Sequence, residues 1–236
     1  MTSFGSTWAI GGLLTLLFAV LARWVRGVTT SGAMAGAASC FVLYLGGGSG
    51  AFAALITVFG LAWITTRLGY RRKLRLGIAE RLEGRKASQV LANLGVATIC
   101  AALYALSPGK TFLLLALAAA LSEAAADTVS SEVGQAFGET ARLITNWDSV
   151  PAGTDGAVSL TGTLAGTAAA GIVSSVCVLS GLLPRQWLAI SVGAAILGMF
   201  MDSFLGAWLE RRRLLTNDSV NFLSTAAAAL AATWLA

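Results

Sequence analysis

Long uncharged stretches separated by short polar connections dominate this sequence. A helix that crosses a bilayer needs roughly 20 mostly apolar residues, because each residue adds about 1.5 Å to its length. The run 27–66 is long enough for two such helices, and the glycine-rich segment 46–50 predicts a turn between them. The pattern predicts an all-α protein, a polytopic integral membrane helical bundle of about eight transmembrane helices, with seven as the alternative. The uncharged runs are residues 1–22, 27–66, 87–109, 156–184, 186–201 and 219–236.

The predicted spans form a single membrane domain, residues 1–236. Three N-terminal spans lie within 1–66, a basic segment covers 67–88, and the helices and loops of 89–236 carry the candidate chemistry. Composition agrees, since 56% of the residues are hydrophobic and 11% are charged, whereas a soluble domain carries about 25% charged residues. The spans are predicted near residues 6–22, 29–46, 50–66, 88–106, 111–128, 157–181, 186–207 and 219–236.

The Lys and Arg residues predict the orientation. If eight spans alternate, every basic residue except Lys110 and Arg185 lies on one side of the membrane. The positive-inside rule makes that side cytoplasmic, so we expect a protein of the cytoplasmic membrane with both termini outside. The net charge of +5 then favours phosphate head groups or a phosphorylated substrate at the cytoplasmic surface. Nucleic acid is not an expected partner, because the sequence shows no soluble module to bind it.

The chain contains no histidine, and its three cysteines stand at no metal-ligand spacing. This composition excludes an imidazole base, a histidine metal site and a Ser-His-Asp triad. Catalysis in this chain would therefore depend on carboxylates, hydroxyls, Lys or Arg, and a bound metal ion.

Asp127 and Asp202 are the most informative residues. Each is followed by a residue with a hydroxyl group and lies at the end of an apolar stretch. A carboxylate near hydrocarbon is costly unless it faces a polar cavity, a cation or a partner, so it marks a candidate functional site. On a helix, Glu123 and Ser131 would share the face of Asp127. Gly198 and Gly206 flank Asp202 at helical spacing, and we expect them to leave space around its carboxylate.

A Gly- and Thr-rich loop, 150–156, leads into the predicted helix 157–181, which begins with Ser159, Thr161 and Thr163. Unpaired backbone N–H groups converge at such a helix N-terminus, so the loop is either an anion site or a simple N-capping loop. The stripe of small residues that follows in this helix favours close packing against another helix. That stripe consists of Gly162, Gly166, Ala170 and Ser174.

The basic segment 67–88 holds eight basic and two acidic residues. Such a segment is either a topology anchor on the lipid surface or a surface that gathers phosphate groups. The predicted topology also places the carboxylates of Asp127, Glu132, Asp155, Asp202 and Asp218 on this same side. Carboxylates beside Arg and Lys suit Mg²⁺ with phosphates, and phosphoryl transfer needs mainly positioning and charge neutralisation.

Five blocks of the sequence resemble the integral-membrane phytyl-phosphate kinase family, which is similar to the CTP-dependent dolichol and phytol kinases. The blocks occur in the family's order from about residue 67 to 224, and the long central block is the most specific. They are QVLANLGVAT (89–98), ADTVSSEVG (126–134), RLITNWDSVPAGTDGAVSLTGTLAG (142–166), MDSFLGAWLE (201–210) and NDSVNFLS (217–224).

The resemblance implies a phosphotransferase, a prenyl-phosphate kinase that moves a phosphoryl group from CTP onto an isoprenoid (phytyl or prenyl) monophosphate to give the diphosphate. It implies Mg²⁺ as the cofactor, and membrane lipid, a nucleoside triphosphate and the isoprenoid monophosphate as partners. An oligomer is compatible with the sequence, which does not specify a copy number.

The candidate site residues fall into three groups. The catalytic candidates are Asp127, Asp202 and Arg142. The metal-binding candidates are Asp127, Glu132, Asp202 and Asp218. The candidates for binding substrate or nucleotide are Asn93, Ser131, Thr145, Gly153, Thr154, Gly156, Ser159, Thr163, Asn217, Asn221, Arg71, Arg72, Lys73 and Arg85.

Two other functions remain open from the sequence. A membrane cytidylyltransferase acting on a lipid phosphate would use the same metal and phosphate residues. An ion-coupled transporter would also place carboxylates in spans, but carriers usually hold them near the midplane with access from both sides.

Overall fold

A computed structural model of the chain describes residues 4–79, 83–138 and 140–236. Within these ranges the chain forms eight α-helices, with a 3-10 turn before the seventh helix and a π-helical segment after it. The polytopic helical fold predicted from the hydropathy pattern is confirmed. The helices are α1 (Phe4–Trp24), α2 (Thr30–Arg67), α3 (Tyr70–Arg75), α4 (Ala87–Leu106), α5 (Phe112–Phe137), α6 (Leu160–Leu179), α7 (Leu188–Leu205) and α8 (Asn217–Trp234).

Helix α2 is 38 residues long and reverses direction at Gly48. Gly48 has φ 61° and ψ −152°, a backbone conformation that glycine adopts far more readily than other residues. Both legs of α2 begin or end at the same end of the bundle. The carbonyl of Val25, just before α2, accepts hydrogen bonds from Trp63 Nε1 (3.0 Å) and Arg67 Nη2 (2.8 Å) in its last turns. The turn predicted at 46–50 is therefore where the chain folds back.

Six helices in the described part of the chain are long and apolar enough to cross a membrane. Since α2 folds back at Gly48, these six helices supply seven apolar legs. Helix α8 is not among them, because its first turn carries Asn217 and Asp218 and lowers its mean hydropathy. The predicted span 219–236 is nevertheless a helix, and it packs against α4, α5 and α7.

Helix α5 is the centre of the bundle and packs against α2, α4, α6, α7 and α8. Its residues 115–126 are all buried, and most are alanine, which lets neighbouring helices approach closely. Helix α6 presents glycines to it, as the small-residue stripe predicts. A Cβ on Gly162 would lie 2.5 Å from the carbonyl oxygen of Ser130, and one on Gly166 would lie 2.7 Å from that of Ala126.

A small antiparallel sheet lies between α5 and α6. Its strands are β1 (Ala141–Leu143), β2 (Ser149–Val150) and β3 (Ala157–Val158), with β1 in the middle. The prediction that a helix starts at residue 157 is wrong in this detail, because 157 and 158 complete the sheet. Ser159 then caps α6, and its hydroxyl accepts a hydrogen bond from the N–H of Gly162 (3.1 Å).

The connecting segments divide between two ends of the bundle. One end, which we call the basic face, contains the segments around Thr29 and Arg85 and the small sheet between α5 and α6. The N–H of Thr29 donates to the carbonyl of Arg85 there (3.0 Å). At the opposite end, the 46–50 turn lies against Ala101 and Leu182. Among the described basic residues, only Lys110 and Arg185 belong to the opposite end. The fold thus separates the charges as the sequence predicts.

Candidate functional site

Two polar cavities lie side by side at the basic face. The first has a volume of about 170 Å³, and we call it the acidic lobe. The second has a volume of about 180 Å³, and we call it the amide lobe. Four residues line both, so the lobes form one site: Asp127, Ser131, Gln135 and Asn217.

The acidic lobe collects carboxylates from three separate parts of the chain. Asp127 comes from α5, Asp155 from the loop before α6, Asp202 from α7 and Glu210 from the π-helical segment Gly206–Glu210. The other wall of this lobe is the backbone of loop 152–159. Carboxylates that are distant in sequence thus meet around this glycine-containing loop.

The amide lobe has a different chemistry. Five amide side chains and the cation of Arg85 line it, together with the carboxylates of Asp127 and Glu132. The Arg85 guanidinium faces the carboxylate of Asp127, and its Nη2 lies 3.4 Å from the hydroxyl of Thr128. A positive charge beside several neutral hydrogen-bonding groups is suited to a phosphate. The amides are those of Gln89, Asn93, Gln135, Asn217 and Asn221.

Asp127 and Asp202 meet at the centre of the site. Their carboxyl groups are close neighbours, although one comes from α5 and the other from α7. Oδ2 of Asp202 is buried without a hydrogen-bond partner in the described structure. The structure therefore brings together the two residues that the sequence singles out most strongly.

Glu123 lies one helical turn deeper on the same face of α5. Its side chain is 1% exposed, and within the described residues neither carboxylate oxygen has a hydrogen-bond partner. The hydroxyl of Ser224 lies beside Glu123 but donates to the carbonyl of Asn221 (3.0 Å). Buried carboxyl groups normally hold a proton, pair with a cation or bind a metal ion, so Glu123 is a candidate functional residue.

Gly198 makes room for Glu123. A Cβ on Gly198 would lie 2.5 Å from Cγ of Glu123 and 2.9 Å from the carbonyl oxygen of Ser224. The expectation that this glycine clears space around Asp202 is therefore corrected. It clears space for the deeper carboxylate, because α7 and α8 both cross α5 at this level.

The loop before α6 is shaped by two glycines with left-handed backbone. Gly153 has φ 83° and Gly156 has φ 76°. A Cβ on Gly156 would collide with the backbone of Ala207, so the loop and the π-helical segment can touch only because residue 156 lacks a side chain. Thr154 completes the turn by donating to the carbonyl of Pro151 (2.7 Å). Gly153, Thr154, Gly156 and Ser159 all line the acidic lobe.

Glu132 also lies on α5 and lines the amide lobe, but its carboxylate is already paired. Its Oε1 accepts a hydrogen bond from Thr66 (2.9 Å), and its Oε2 forms an ion pair with Lys73. Lys73 is fully buried and also donates to the carbonyls of Thr65 (3.2 Å) and Thr66 (2.8 Å). Both residues were candidates for the site, but their charged groups are occupied by each other. We assign them the structural role of fastening α3 and the end of α2 to α5.

Several other predicted residues lie outside the two lobes. Arg72 donates to the carbonyls of Ala136 (3.3 Å) and Gly138 (2.8 Å) at the end of α5, and Arg71 is exposed. Arg142 in β1 is exposed and donates to the carbonyl of Trp147 (2.9 Å). The remaining three do not line either cavity: Thr145, Thr163 and Asp218. The structure thus gathers Asn93, Ser131, Asn217, Asn221 and Arg85 around the carboxylates and leaves these others at the rim or beyond.

The donor atoms of the site fit a hard divalent cation. The described residues contain no group of three or more His, Cys, Asp or Glu side chains arranged around a metal position. Mg²⁺, however, is usually held by one or two carboxylates together with water and substrate phosphates. The adjacent carboxylates of Asp127 and Asp202, one of them with an unpartnered buried oxygen, meet that requirement.

Two acidic residues of the site were missed by the sequence analysis. Glu210 lines the acidic lobe but stands beside the Arg211–Arg213 run, which suggested only orienting charges. Glu123 was noticed for sharing a helix face with Asp127 and was not included among the site residues. Its position in the middle of an apolar, alanine-rich run is a signal that marks it as a candidate.

Comparison with known proteins identifies relatives over most of the chain. The profile of a family described as integral membrane protein DUF92 matches residues 13–229. The uncharacterized membrane protein sll0875 of Synechocystis sp. is 36% identical over 175 residues, which cover 72% of this chain and 68% of that protein. The chloroplastic protein VTE6 of Arabidopsis thaliana is 30% identical over 233 residues, covering 94% of this chain and 70% of VTE6.

A third relative also matches most of the chain. The uncharacterized membrane protein MJ0933 of Methanocaldococcus jannaschii is 31% identical over 215 residues, covering 90% of this chain and 87% of that protein. No solved structure matches the chain.

Proposed function

The chain belongs to the DUF92 family of integral membrane proteins, and we propose that it transfers a phosphoryl group from a nucleoside triphosphate, preferably CTP, to an isoprenoid monophosphate. The products are the nucleoside diphosphate and the isoprenoid diphosphate. The observation that carries the proposal is the position of Asp127, which lies where a carboxylate-rich lobe meets an arginine-containing lobe. Two phosphorylated substrates approaching from the two lobes would meet there.

Sequence similarity supports the choice of substrate class. Five blocks of this chain resemble the integral-membrane phytyl-phosphate kinase family, and the similarity to the chloroplastic protein VTE6 runs through almost the whole of this chain. The residues that line both lobes fall inside the matched region, so the same chemistry can be assigned to the same cavity. The apolar fold agrees with an acceptor that is itself dissolved in the membrane.

We assign the acceptor phosphate to the amide lobe. Arg85 supplies the positive charge, and Asn93 and Asn221 supply neutral donors around it. Charge-assisted hydrogen bonds from a guanidinium are shorter and stronger than neutral ones, so Arg85 would contribute most of the binding. Because the Arg85 guanidinium faces Asp127, an acceptor phosphate bound to Arg85 would lie beside the carboxylates.

We assign the donor polyphosphate to the acidic lobe. The backbone N–H groups of loop 153–159 and the N-terminus of α6 favour negative charge there. The carboxylates on the opposite wall would repel a bare polyphosphate, so this side of the lobe requires a cation between them. Asp127 and Asp202 would hold Mg²⁺, which neutralises charge on the transferred phosphoryl group when it is bound.

The transfer itself places few demands on the protein. An oxygen of the acceptor monophosphate attacks the terminal phosphorus of the donor, the bond to the bridging oxygen breaks, and the nucleoside diphosphate leaves with that bond's electron pair. A phosphate monoester is already nucleophilic at neutral pH, so no strong general base is needed, in keeping with a chain that has no histidine. The chain's residues position the two substrates and exclude water.

The site is proposed to face the cytoplasm, where nucleotides are available. Both lobes lie at the basic face, which carries every described basic residue except Lys110 and Arg185. Cytoplasmic segments carry the excess of Lys and Arg. A site at one end of the bundle also favours an enzyme over a carrier, which would hold its ionisable groups near the midplane.

The proposal is tested with purified protein in detergent. CTP, ATP, GTP or UTP labelled in the terminal phosphate is incubated with MgCl₂ and geranylgeranyl, phytyl or geranyl monophosphate. We expect one labelled prenyl diphosphate for each nucleoside diphosphate formed, with CTP the best donor. Release of pyrophosphate with a cytidylylated lipid would identify a cytidylyltransferase instead, and counterflow in proteoliposomes without nucleotide turnover would identify a carrier.

A further inference from the structure

A third cavity lies between the first helices of the bundle. Its volume is about 110 Å³, and it is formed by α1, both legs of α2 and α4, with Ala124 of α5 as part of its wall. We call it the apolar cavity, because aromatic and aliphatic side chains make up most of its lining. Typical lining residues are Phe18, Val58, Phe59, Val90 and Leu94.

The apolar cavity adjoins the amide lobe. Three residues line both spaces: Arg85, Gln89 and Asn93. The lining therefore changes from hydrocarbon to a guanidinium and amides along one continuous path. An amphiphile with an anionic head and a hydrocarbon tail has the complementary pattern of chemistry.

The backbone fixes Arg85 at this junction. Its N–H donates to the carbonyl of Gly27 (3.1 Å), and its carbonyl accepts from the N–H of Thr29 (3.0 Å). A Cβ on Gly32 would collide with the Arg85 carbonyl oxygen, so the start of α2 approaches the arginine as closely as a glycine permits. The segment 27–32 thus holds Arg85 at the boundary between the apolar cavity and the amide lobe.

On the basis of the proposed function, we propose that the apolar cavity binds the phosphate-proximal part of the acceptor's isoprenoid chain. The chain lies between α1, α2 and α4, and its phosphate lies against Arg85 in the amide lobe. The cavity selects acceptors by the size of the hydrocarbon chain next to the phosphate, and the two polar lobes bind the phosphates between which the transfer occurs. The three N-terminal legs thereby acquire a specific role in substrate binding.

The size of the cavity limits how much of the chain it can hold. An apolar cavity of about 150 Å³ can bind benzene, so a volume of about 110 Å³ holds a group of roughly five carbons. The first isoprene unit fits in such a space, and the rest of a longer chain would extend into the bilayer. Preference should therefore rise from methyl to dimethylallyl monophosphate and change less from dimethylallyl to geranyl monophosphate.

Gly36 offers a way to fill the cavity from one side. It lines the cavity, and a Cβ placed on it would meet only Val90 Cγ1 at 3.9 Å, which is ordinary contact. Gly36→Phe and the smaller Gly36→Leu should therefore fold and occupy space meant for the chain. Gly60→Phe is the matched control, because Gly60 is also in α2, does not line the cavity, and has nothing within 4 Å of its Cβ position.

The experiment compares kcat/KM for dimethylallyl and methyl monophosphates in the wild type and the three variants. We expect Gly36→Phe to lower the dimethylallyl-to-methyl ratio about 10- to 200-fold, the range typical of one lost hydrocarbon group in a pocket. Gly36→Leu should lower it less, and Gly60→Phe should leave it near the wild-type value. An unchanged ratio in Gly36→Leu and Gly36→Phe, or an equal change in Gly60→Phe, overturns the proposal.

A second measurement does not depend on turnover or on a folded variant. A geranyl monophosphate analogue with a photoreactive diazirine in its first isoprene unit is irradiated with the wild-type protein in detergent, without nucleotide. Labelled peptides from α1, α2 and α4 support the proposal, and labelling confined to α6, α7 or α8 overturns it. If the wild type binds in this way but transfers no phosphoryl group from any nucleotide, the proposed function fails while the chain site stands.

Discussion

Two buried acidic regions of the same helix, α5, differ in how their charges are satisfied. Around Glu132, one carboxylate oxygen accepts from Thr66 and the other pairs with the buried Lys73. Glu123 lies only nine residues earlier in the chain, and both of its carboxylate oxygens are buried without a hydrogen-bond partner in the described structure. One oxygen of Asp202 is in the same situation. Glu132 thus has a cation in direct contact, whereas Glu123 and Oδ2 of Asp202 have no such contact among the described residues.

The comparison separates structural from functional carboxylates. A buried charge that is fully paired is consistent with holding helices together, and replacing one partner leaves the other exposed to the full desolvation cost. A buried charge without a partner raises the free energy of the folded protein unless a ligand supplies the missing cation. Burial alone therefore does not identify the site, whereas unsatisfied burial next to a polar cavity does.

The largest expected effect is the loss of transfer when the cluster of Asp127 and Asp202 loses a charge. Asp127→Asn or Asp202→Asn should lower kcat by about 100- to 1,000-fold or more, because each removes a charge at the point where the transferred group is stabilised. The measurement is transfer of labelled phosphate to geranylgeranyl monophosphate. Both variants should elute from size exclusion in detergent as the wild type does. Near-wild-type turnover in both would remove these residues from the proposed site.

The paired region should respond in stability rather than in chemistry. Lys73→Met should lower the free energy of unfolding by about 3–5 kcal/mol, because it leaves Glu132 buried without its cation. The double variant Lys73→Met with Glu132→Leu should recover most of that loss. Unfolding in detergent provides the free energies, and activity is measured per folded molecule. A loss of activity in the double variant that matches Asp127→Asn would show that the two regions are not separate.

Removing the unpaired charge at Glu123 should have the opposite effect on stability. Glu123→Met should raise the free energy of unfolding in the absence of Mg²⁺ by about 1–3 kcal/mol, because it removes a buried polar group that has no hydrogen-bond partner. The same variant should need more Mg²⁺ for half-maximal transfer, because the site loses negative charge. Glu123→Gln is the matched polar variant. A destabilised Glu123→Met protein would show that this carboxylate has a partner after all.

The smallest effects distinguish two arginines. Arg85 lines the amide lobe, so Arg85→Ala should raise KM for the prenyl monophosphate by about 10- to 100-fold, the loss expected for hydrogen bonds to a charged group. Arg142 is exposed and donates to the Trp147 carbonyl, so Arg142→Ala should change kcat/KM by only about twofold. A larger effect at Arg142 than at Arg85 would favour the role that the family resemblance implies for Arg142.

Much of the fold followed from local patterns. Apolar runs of the right length predicted the membrane helices, and the glycine-rich segment 46–50 marked the reversal at Gly48. The sheet at 141–158 was not predicted, because its strands are two or three residues long and pair across a loop. The first residue of α8 was also hard to predict from hydropathy. Asn217 and Asp218 lie in its first turn, so the apolar pattern begins later than the helix does.

The sequence predicted which types of residue form the site better than it predicted which individual residues do so. Asp127 and Asp202 stood out because an aspartate in an apolar run is rare and costly. Lys73 and Glu132 looked like site residues because sequence shows a charge but not its partner. Arg85 could not be distinguished from the other basic residues of 67–88, because only the backbone pairing with residues 27–29 places it at the cavity.

The sequence by itself determined the class of protein, the helices and the segregation of charge to one end, since hydropathy and charge act through local composition. Only the tertiary structure decided which charges are paired and which are not, because pairing depends on residues brought together from distant helices. The same is true of the path from the apolar cavity to Arg85 and on to Asp127. Its walls come from α1, α2, α4 and α5, and no single stretch of the chain contains it.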